Sequence, residues 1–586
     1  MKTPLISTLL VLASSPLFAQ HSRPPVQLDN AGTISGLAVA SADGVSAVLW
    51  KEDATQNIMF AVSSNFGTTW SSPIRLDSDS TGAFKDTEDW SLLIDGSRIY
   101  AAWWDDRLVA GGGTSEVFVA SSTNLGVSWN SDERGTYHYT PSIAEMEQWH
   151  WSIDFQTVCI ATIDTRYDLS NREELVLHGS QDGGQTFTPW FVIYPGATGS
   201  DMDLVRIHTS ILSGSPLIDV VMVNNVNDMA NNRNDVLWTR YDLQANSQLP
   251  AVNLSPGVRA LNGDVQHVGT EISLSAIYPT IAMAFTADFP TSPGKDEIFV
   301  NRYNGSAWSG DSRVGNYPIG AADVDHPVVL ESQGALVAAW EDDRLNPGVE
   351  DSIWVAYSQD FGTTWIESGP FGPGGNPHLQ GNGGYVGVSF TNLASPDDPQ
   401  MHISRDFGKT WGPPLNVDAG QAGDADSTKL SYEPHYQAFV PVWKSDVNGG
   451  VNHAFAGYVR PATLQPVGSF SAGAPVHFEG FGFSAMAEGD QMAVVISTSL
   501  AVGSVRLPND GRDTGLLLTS MLRSSTRTPQ LRAPITLGGF AVTPTIPFPP
   551  TIPAGTTIYA VAVSIGQGVG GTEYGSITDP VAITVQ

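Results

Sequence analysis

Three kinds of side chain recur in this chain at positions where they could do chemistry. Asp105-Asp106-Arg107, Asp164-Thr165-Arg166 and Asp342-Asp343-Arg344 repeat one Asp-x-Arg pattern, with Glu52-Asp53 as a weaker copy. An Asp two residues before an Arg can close an ion pair that braces a loop. Recurrence in several segments obeys the symmetry of a scaffold, whereas a single active site breaks it. Histidine recurs in a second pattern, with His150, His208, His267, His326, His378 and His435 falling at similar places in six successive segments. Imidazoles that converge on one axis could bind a transition metal or a small anion, and they could equally hydrogen-bond the backbone of a neighbouring segment. The third kind breaks the repetition. Between Glu133 and Trp151 lie Tyr137, His138, Tyr139, Glu145, Glu147, Trp149 and Trp151, and a second irregular run reads Ser431-Tyr432-Glu433-Pro434-His435-Tyr436. Aromatic rings beside carboxylates are a means of holding sugar rings and protonating glycosidic oxygens.

The elements that must position these residues are read from a repeat. Eight segments are mutually similar around Trp50, Trp103, Thr162, Val223, Phe285, Trp340, Phe390 and Trp443. Each reads as an apolar strand, a short gap, a second strand ending at that site, a polar loop and a third strand such as Glu116–Ala120. Five segments continue into one eight-residue phrase, typified by Ser358-x-Asp360-x-Gly362-x-Thr364-Trp365. The others are centred on Asn65, Asn124, Asp182 and Asp406. Each phrase is a turn: the Asp or Asn bonds nearby amides, Gly supplies a positive φ, and the aromatic packs inward. Two segments have only imperfect versions, near Asp242 and near Asn304. Four short strands per unit of 50 to 60 residues is the blade pattern of a β-propeller. The expected fold is all-β, a propeller of seven or eight four-stranded blades followed by a C-terminal β-sandwich.

The phrase resembles the Asp box, or BNR repeat, of sialidases and related propellers. That resemblance implies that the boxes close the turn between third and fourth strands, on the face away from a ligand site, so they are structural. The Asp-x-Arg loops then open on the opposite face, and the histidines start the innermost strands around an axial channel. The resemblance further implies a Tyr nucleophile helped by Glu, an acid/base Asp, and arginines that grip a substrate carboxylate. Tyr432, Glu433 and Asp342 are the candidates for the first three roles. Arg107, Arg166 and Arg344, with Asp105, Asp164, Trp149 and Trp151, are the candidates for substrate binding. The sequence departs from the family in two places. No Arg-Ile-Pro occurs near the start, and Gly111-Gly112-Gly113 stands where an Asp is expected after Arg107.

Bulk properties narrow the setting. Residues 1–19 read as a secretory signal, with Lys2 before the apolar run Leu5–Leu12 and Ala19 at the cleavage position. No later stretch has the 18 to 20 uninterrupted apolar residues of a membrane helix. The single cysteine, Cys159, excludes an intramolecular disulfide and reads as a buried thiol. A net charge of −32 makes nucleic acid an unsuitable partner. Residues 20–465 form the repeat. Residues 466–586 carry seven acids, five arginines and no lysine, and they read as an attachment or sorting module. The expected protein is secreted or held at the cell surface, needs no cofactor, and acts on a glycan or glycoconjugate. It is either a glycoside hydrolase of exo-sialidase type or a non-catalytic binder, with an axial histidine-lined metal site as the outlying alternative.

Overall fold

The computed structural model describes residues 21–586 apart from loop segments, the longest being 79–84, 109–114, 137–145, 165–172, 196–201, 275–280 and most of 501–527. Its architecture is set by the second strand of each repeat. These strands, such as Val45–Glu52, Arg98–Asp105, Ala335–Asp342 and Ala438–Ser445, are apolar along nearly their whole length. A strand with two apolar faces must be covered on both sides. Each is therefore the second member of a four-stranded antiparallel sheet that stacks against a sheet before it and a sheet after it.

Among the described residues of the repeat, eight sheets of this kind follow one another, the fourth and fifth of them with an additional short strand. Alternation along one strand shows how they stack. In the first sheet Ala47 and Leu49 join a cluster with Leu92, Ile99 and Trp103 of the second sheet. Val48 and Trp50, one residue out of phase, join Val440, Val442 and Tyr458 of the eighth. Every neighbouring pair of sheets has a cluster of this kind. The ring is closed by strand pairing as well as by packing. The first strand of the chain, His21–Gln27, pairs antiparallel with His453–Arg460 and so becomes the outermost strand of the eighth sheet. This is the connectivity of a β-propeller.

Within each sheet the first strand lies innermost and the fourth outermost. The outermost strand is often only two residues long, as in Ile74–Arg75 and Ile366–Glu367, which leaves little unpaired edge. The turn before it is held by the repeated phrase. In the sixth sheet Thr364 donates its amide to Asp360 Oδ1 at 2.8 Å and its hydroxyl to Asp360 Oδ2 at 2.6 Å. Ser358 Oγ donates to Asp360 Oδ1 and accepts from the Gly362 amide. Asp182 and Asp406 repeat these bonds. Asn65 and Asn124 keep the backbone bond and instead donate Nδ2 to Thr69 and Ser128. The two imperfect versions are tighter turns, in which Asp242 and Asn304 accept amides two and three residues on.

From Thr463 onward two further sheets pack on their own core, which includes Phe478, Phe483, Met492 and Ile558. This unit is fastened to the first-to-second-strand hairpin of the seventh sheet and to the eighth sheet. Tyr385, fully buried, donates its hydroxyl to the Gly482 carbonyl at 2.8 Å and lies 2.7 Å from Ser576 Oγ. Arg460 of the eighth sheet pairs with Asp579 at 2.7 Å. These contacts occupy the end of the ring that carries the repeated turns, leaving the other end to the second-strand exits.

One glycine is required by the ring. Gly36 sits at a bulge in the innermost strand of the first sheet with φ +65°, and a Cβ there would lie 1.4 Å from the Trp90 ring of the second sheet. We expect Gly36→Ala to cost about 2 kcal/mol or more, measured by urea unfolding, from left-handed strain together with overpacking.

Candidate functional site

The innermost strands surround a channel of about 640 Å³. Its wall includes Trp90, Gln148, Trp149, Trp151, Gln380 and Tyr432. A second cavity of about 220 Å³ adjoins it, walled by His326, Asn376 and Val328 among others. Arg206, His378 and Lys429 line both.

The predicted arginines lie elsewhere. Arg107 directs Nη2 and Nε to Asp105 Oδ2 at 2.6 and 2.9 Å and Nη1 to Asp132 at 2.8 Å, with its guanidinium carbon 3.8 Å from the centroid of the Phe118 ring. Arg344 repeats this in the sixth sheet, bonding Asp342 through Nη2 at 2.7 Å and Glu367 at 3.2 Å, sandwiched by Trp354 and Tyr317. The indole N–H groups of Trp103 and Trp340 complete the shells of Asp105 and Asp342. Both carboxylates are fully buried. The two arginines therefore brace separate sheets and are not brought together. Arg166 lies outside the described residues, and Asp164 ends the second strand of the third sheet.

Nor do the predicted catalytic residues converge. Tyr432 lines the channel, and Glu433 beside it is buried at the turn end, where Oε1 accepts the Gly44 amide at 2.9 Å. Asp342 stands at the exit end of another sheet. The strand between these ends spans roughly 25 Å, too far for one reacting centre. Trp149 and Trp151 are placed at the channel wall, their ring centroids 6.5 Å apart, and both are largely buried between the second and third sheets. Residues 137–145 of the same link lie outside the described residues.

The histidines divide. His150, His208 and His378 line the channel. His150 Nδ1 accepts the Ile207 amide of the next sheet at 3.1 Å, the backbone bond that recurrence allowed. Burial, reinforced by Arg206, pushes His150 down to about 3. Burial and Arg240 push His208 down to about 4, and burial with Lys429 and His326 pushes His378 well below the usual imidazole range. His326 is raised, mainly by its bond to Glu341 at 3.0 Å. His267 pairs with Thr286 in the fifth sheet, and His435 lies outside the described residues. No group of three or more His, Cys, Asp or Glu with metal-binding arrangement occurs among the described residues.

The structure also picks out residues that sequence reading passed over. Arg206 and Lys429 were detectable only by aligning innermost strands, where basic residues are scarce. Asp296, at the exit end of the fifth sheet, is pushed up to about 7 by burial and by Asp323, Asp288 and Asp325, against a bond from Thr286. Its signal was the Asp-Glu pair opening the third strand.

No family model and no curated protein matches the chain. Among solved structures it is similar to the polysaccharide lyase Uly1, at 9% identity and TM-score 0.44 over 75% of this chain and 99% of that one. It is also similar to Trypanosoma rangeli sialidase in complex with sialic acid, at 10% identity and TM-score 0.35 over 97% and 93%. The GH93 α-L-arabinofuranosidase of Fusarium graminearum with arabinobiose gives 9% and 0.35 over 66% and 97%. Likenesses this low assign no activity.

Two predictions follow from the bracing pairs and the buried imidazoles. Arg344→Ala should destabilise the fold by about 3 kcal/mol in urea unfolding, because it strands a buried carboxylate; a residue serving only substrate would leave stability unchanged. The lowered histidines are neutral when folded and protonated when unfolded between pH 6.5 and 4. The unfolded chain then binds more protons, so stability falls as pH falls through that window. His208→Gln should remove on the order of 2 kcal/mol of that loss, read from unfolding at the two pH values.

Proposed function

We propose that the protein is an exported, glycan-acting propeller of eight blades that holds a saccharide in its axial channel, with the C-terminal unit serving attachment at the envelope. The observation that carries this reading is the channel wall, which sets Trp90, Trp149, Trp151 and Tyr432 among the amide side chains Gln148 and Gln380. Its volume is that of a small-ligand site. The small exposed parts of these rings give the wall apolar surface against which a sugar ring can lie, and amides exchange hydrogen bonds with hydroxyls. The C-terminal unit is fastened to the turn end, which leaves the exit end open to a ligand while the chain is anchored. Binding to an immobilised glycan panel tests the reading. Gln380→Ala should weaken the best ligand by about tenfold, and a panel with no binder would overturn it.

A second reading, hydrolysis, is favoured by one observation. Asp296 is a buried carboxyl with its titration near neutrality, the property of a general acid, raised by burial and by the neighbouring Asp323, Asp288 and Asp325. On this reading, turnover of an aryl glycoside falls above about pH 7, and Asp296→Asn lowers kcat by about a hundredfold or more. Absence of turnover across a broad glycoside panel leaves binding as the activity.

A further inference from the structure

The innermost strands carry a layer of two cations and two imidazoles that the saccharide reading does not use. In the third, fourth, seventh and eighth sheets, His150 pairs with Ala161, Arg206 with Val221, His378 with Ser389 and Lys429 with Val442. Each partner lies three residues before the last residue of its second strand, at Asp164, Asn224, Asn392 and Ser445. The four side chains therefore belong to one level of the ring. At the same register the other four sheets place Ala38, Ser91, Val268 and Val328. In a ring of eight, the third and fourth sheets face the seventh and eighth across the axis. One imidazole and one cation thus stand on each of two opposite walls.

We propose that this level is an oxyanion site, in which Arg206 and Lys429 hold a sulfate or phosphate group, free or esterified to a saccharide, with His150 and His378 beside them. Arg206, His378 and Lys429 bound both cavities, so the two cations face each of them together. The described residues lining these cavities include no Asp or Glu, although the chain as a whole carries a net charge of −32. The lining thus brings two cations together, with Glu341, bonded to His326 at 3.0 Å, as a carboxylate just outside it; paired cations favour an anion. His150 adds a donor. Because its Nδ1 accepts the Ile207 amide, the neutral ring carries its proton on Nε2. Burial and the field of Arg206 keep that ring neutral at pH 7. Cations on opposite walls suit a tetrahedral group, whose oxygens point in several directions, better than a carboxylate, which offers one edge.

The test is calorimetric titration of the full chain with sodium sulfate, sodium phosphate and a sulfated disaccharide at constant ionic strength, with chloride as the control. The wild type should bind at least one oxyanion ligand. Arg206→Gln and Lys429→Gln should each weaken that binding about tenfold or more, and Lys429→Arg should retain it within about threefold. Thermal unfolding of each variant checks that it is folded. Binding of free sulfate or phosphate assigns the site to the ion, and binding of the sulfated saccharide alone assigns it to the ester; either supports the proposal. No binding of any of the three by the wild type, or unchanged affinity in both Gln variants, overturns it. A neutral saccharide titrated in parallel reads the glycan proposal separately, so the two can fail independently.

Discussion

The constraint on which the rest depends is that each second strand is apolar on both faces and sits in a sheet of only four strands. Such a sheet has no exposed side to spare, so it requires a neighbour on either flank. Ala47 and Leu49 turn one way and Val48 and Trp50 the other, and the same division recurs around the ring. A linear stack would leave two apolar faces in water at its ends. Closure removes both. The pairing of His21–Gln27 with His453–Arg460 ties that closure to the two ends of the repeat.

Once the ring is closed, the polar groups are sorted by position along each strand. At the turn end, carboxylates and amides of the repeated phrases are consumed by their own backbones, and the C-terminal unit covers the hairpin of the seventh sheet. At the exit end, Asp105 and Asp342 are buried and must be compensated, which their arginines and tryptophans do. Between the ends, the innermost strands of six of the sheets leave a channel whose wall they line with two to six residues each. Chemistry is then confined to residues the scaffold does not use.

Much of this was legible in the chain. The turn phrases, the strand succession and the C-terminal change of pattern follow from local chemistry: a side chain bonding an amide four residues on, a glycine with positive φ, an apolar run of eight. The bracing role of the Asp-x-Arg pairs was legible too, as one of two readings, because both partners lie two residues apart. What could not be read was which residues meet. Tyr432, Glu433 and Asp342 look equally available in sequence, yet one lines the channel, one is buried at the turn end and one is buried at the exit end.

The sequence by itself thus determined the all-β class, the repeating unit and the turns that punctuate it, since these depend on residues a few positions apart. The tertiary structure alone decided that Arg206 and Lys429, 223 positions apart by their numbers, stand at one level of one channel, and that Arg107 and Arg344 do not share a pocket. The reason is geometric. Register within a sheet is set by pairing between strands, and the angle between sheets is set by how many must pack to close the ring. Neither quantity is carried by any short stretch of residues.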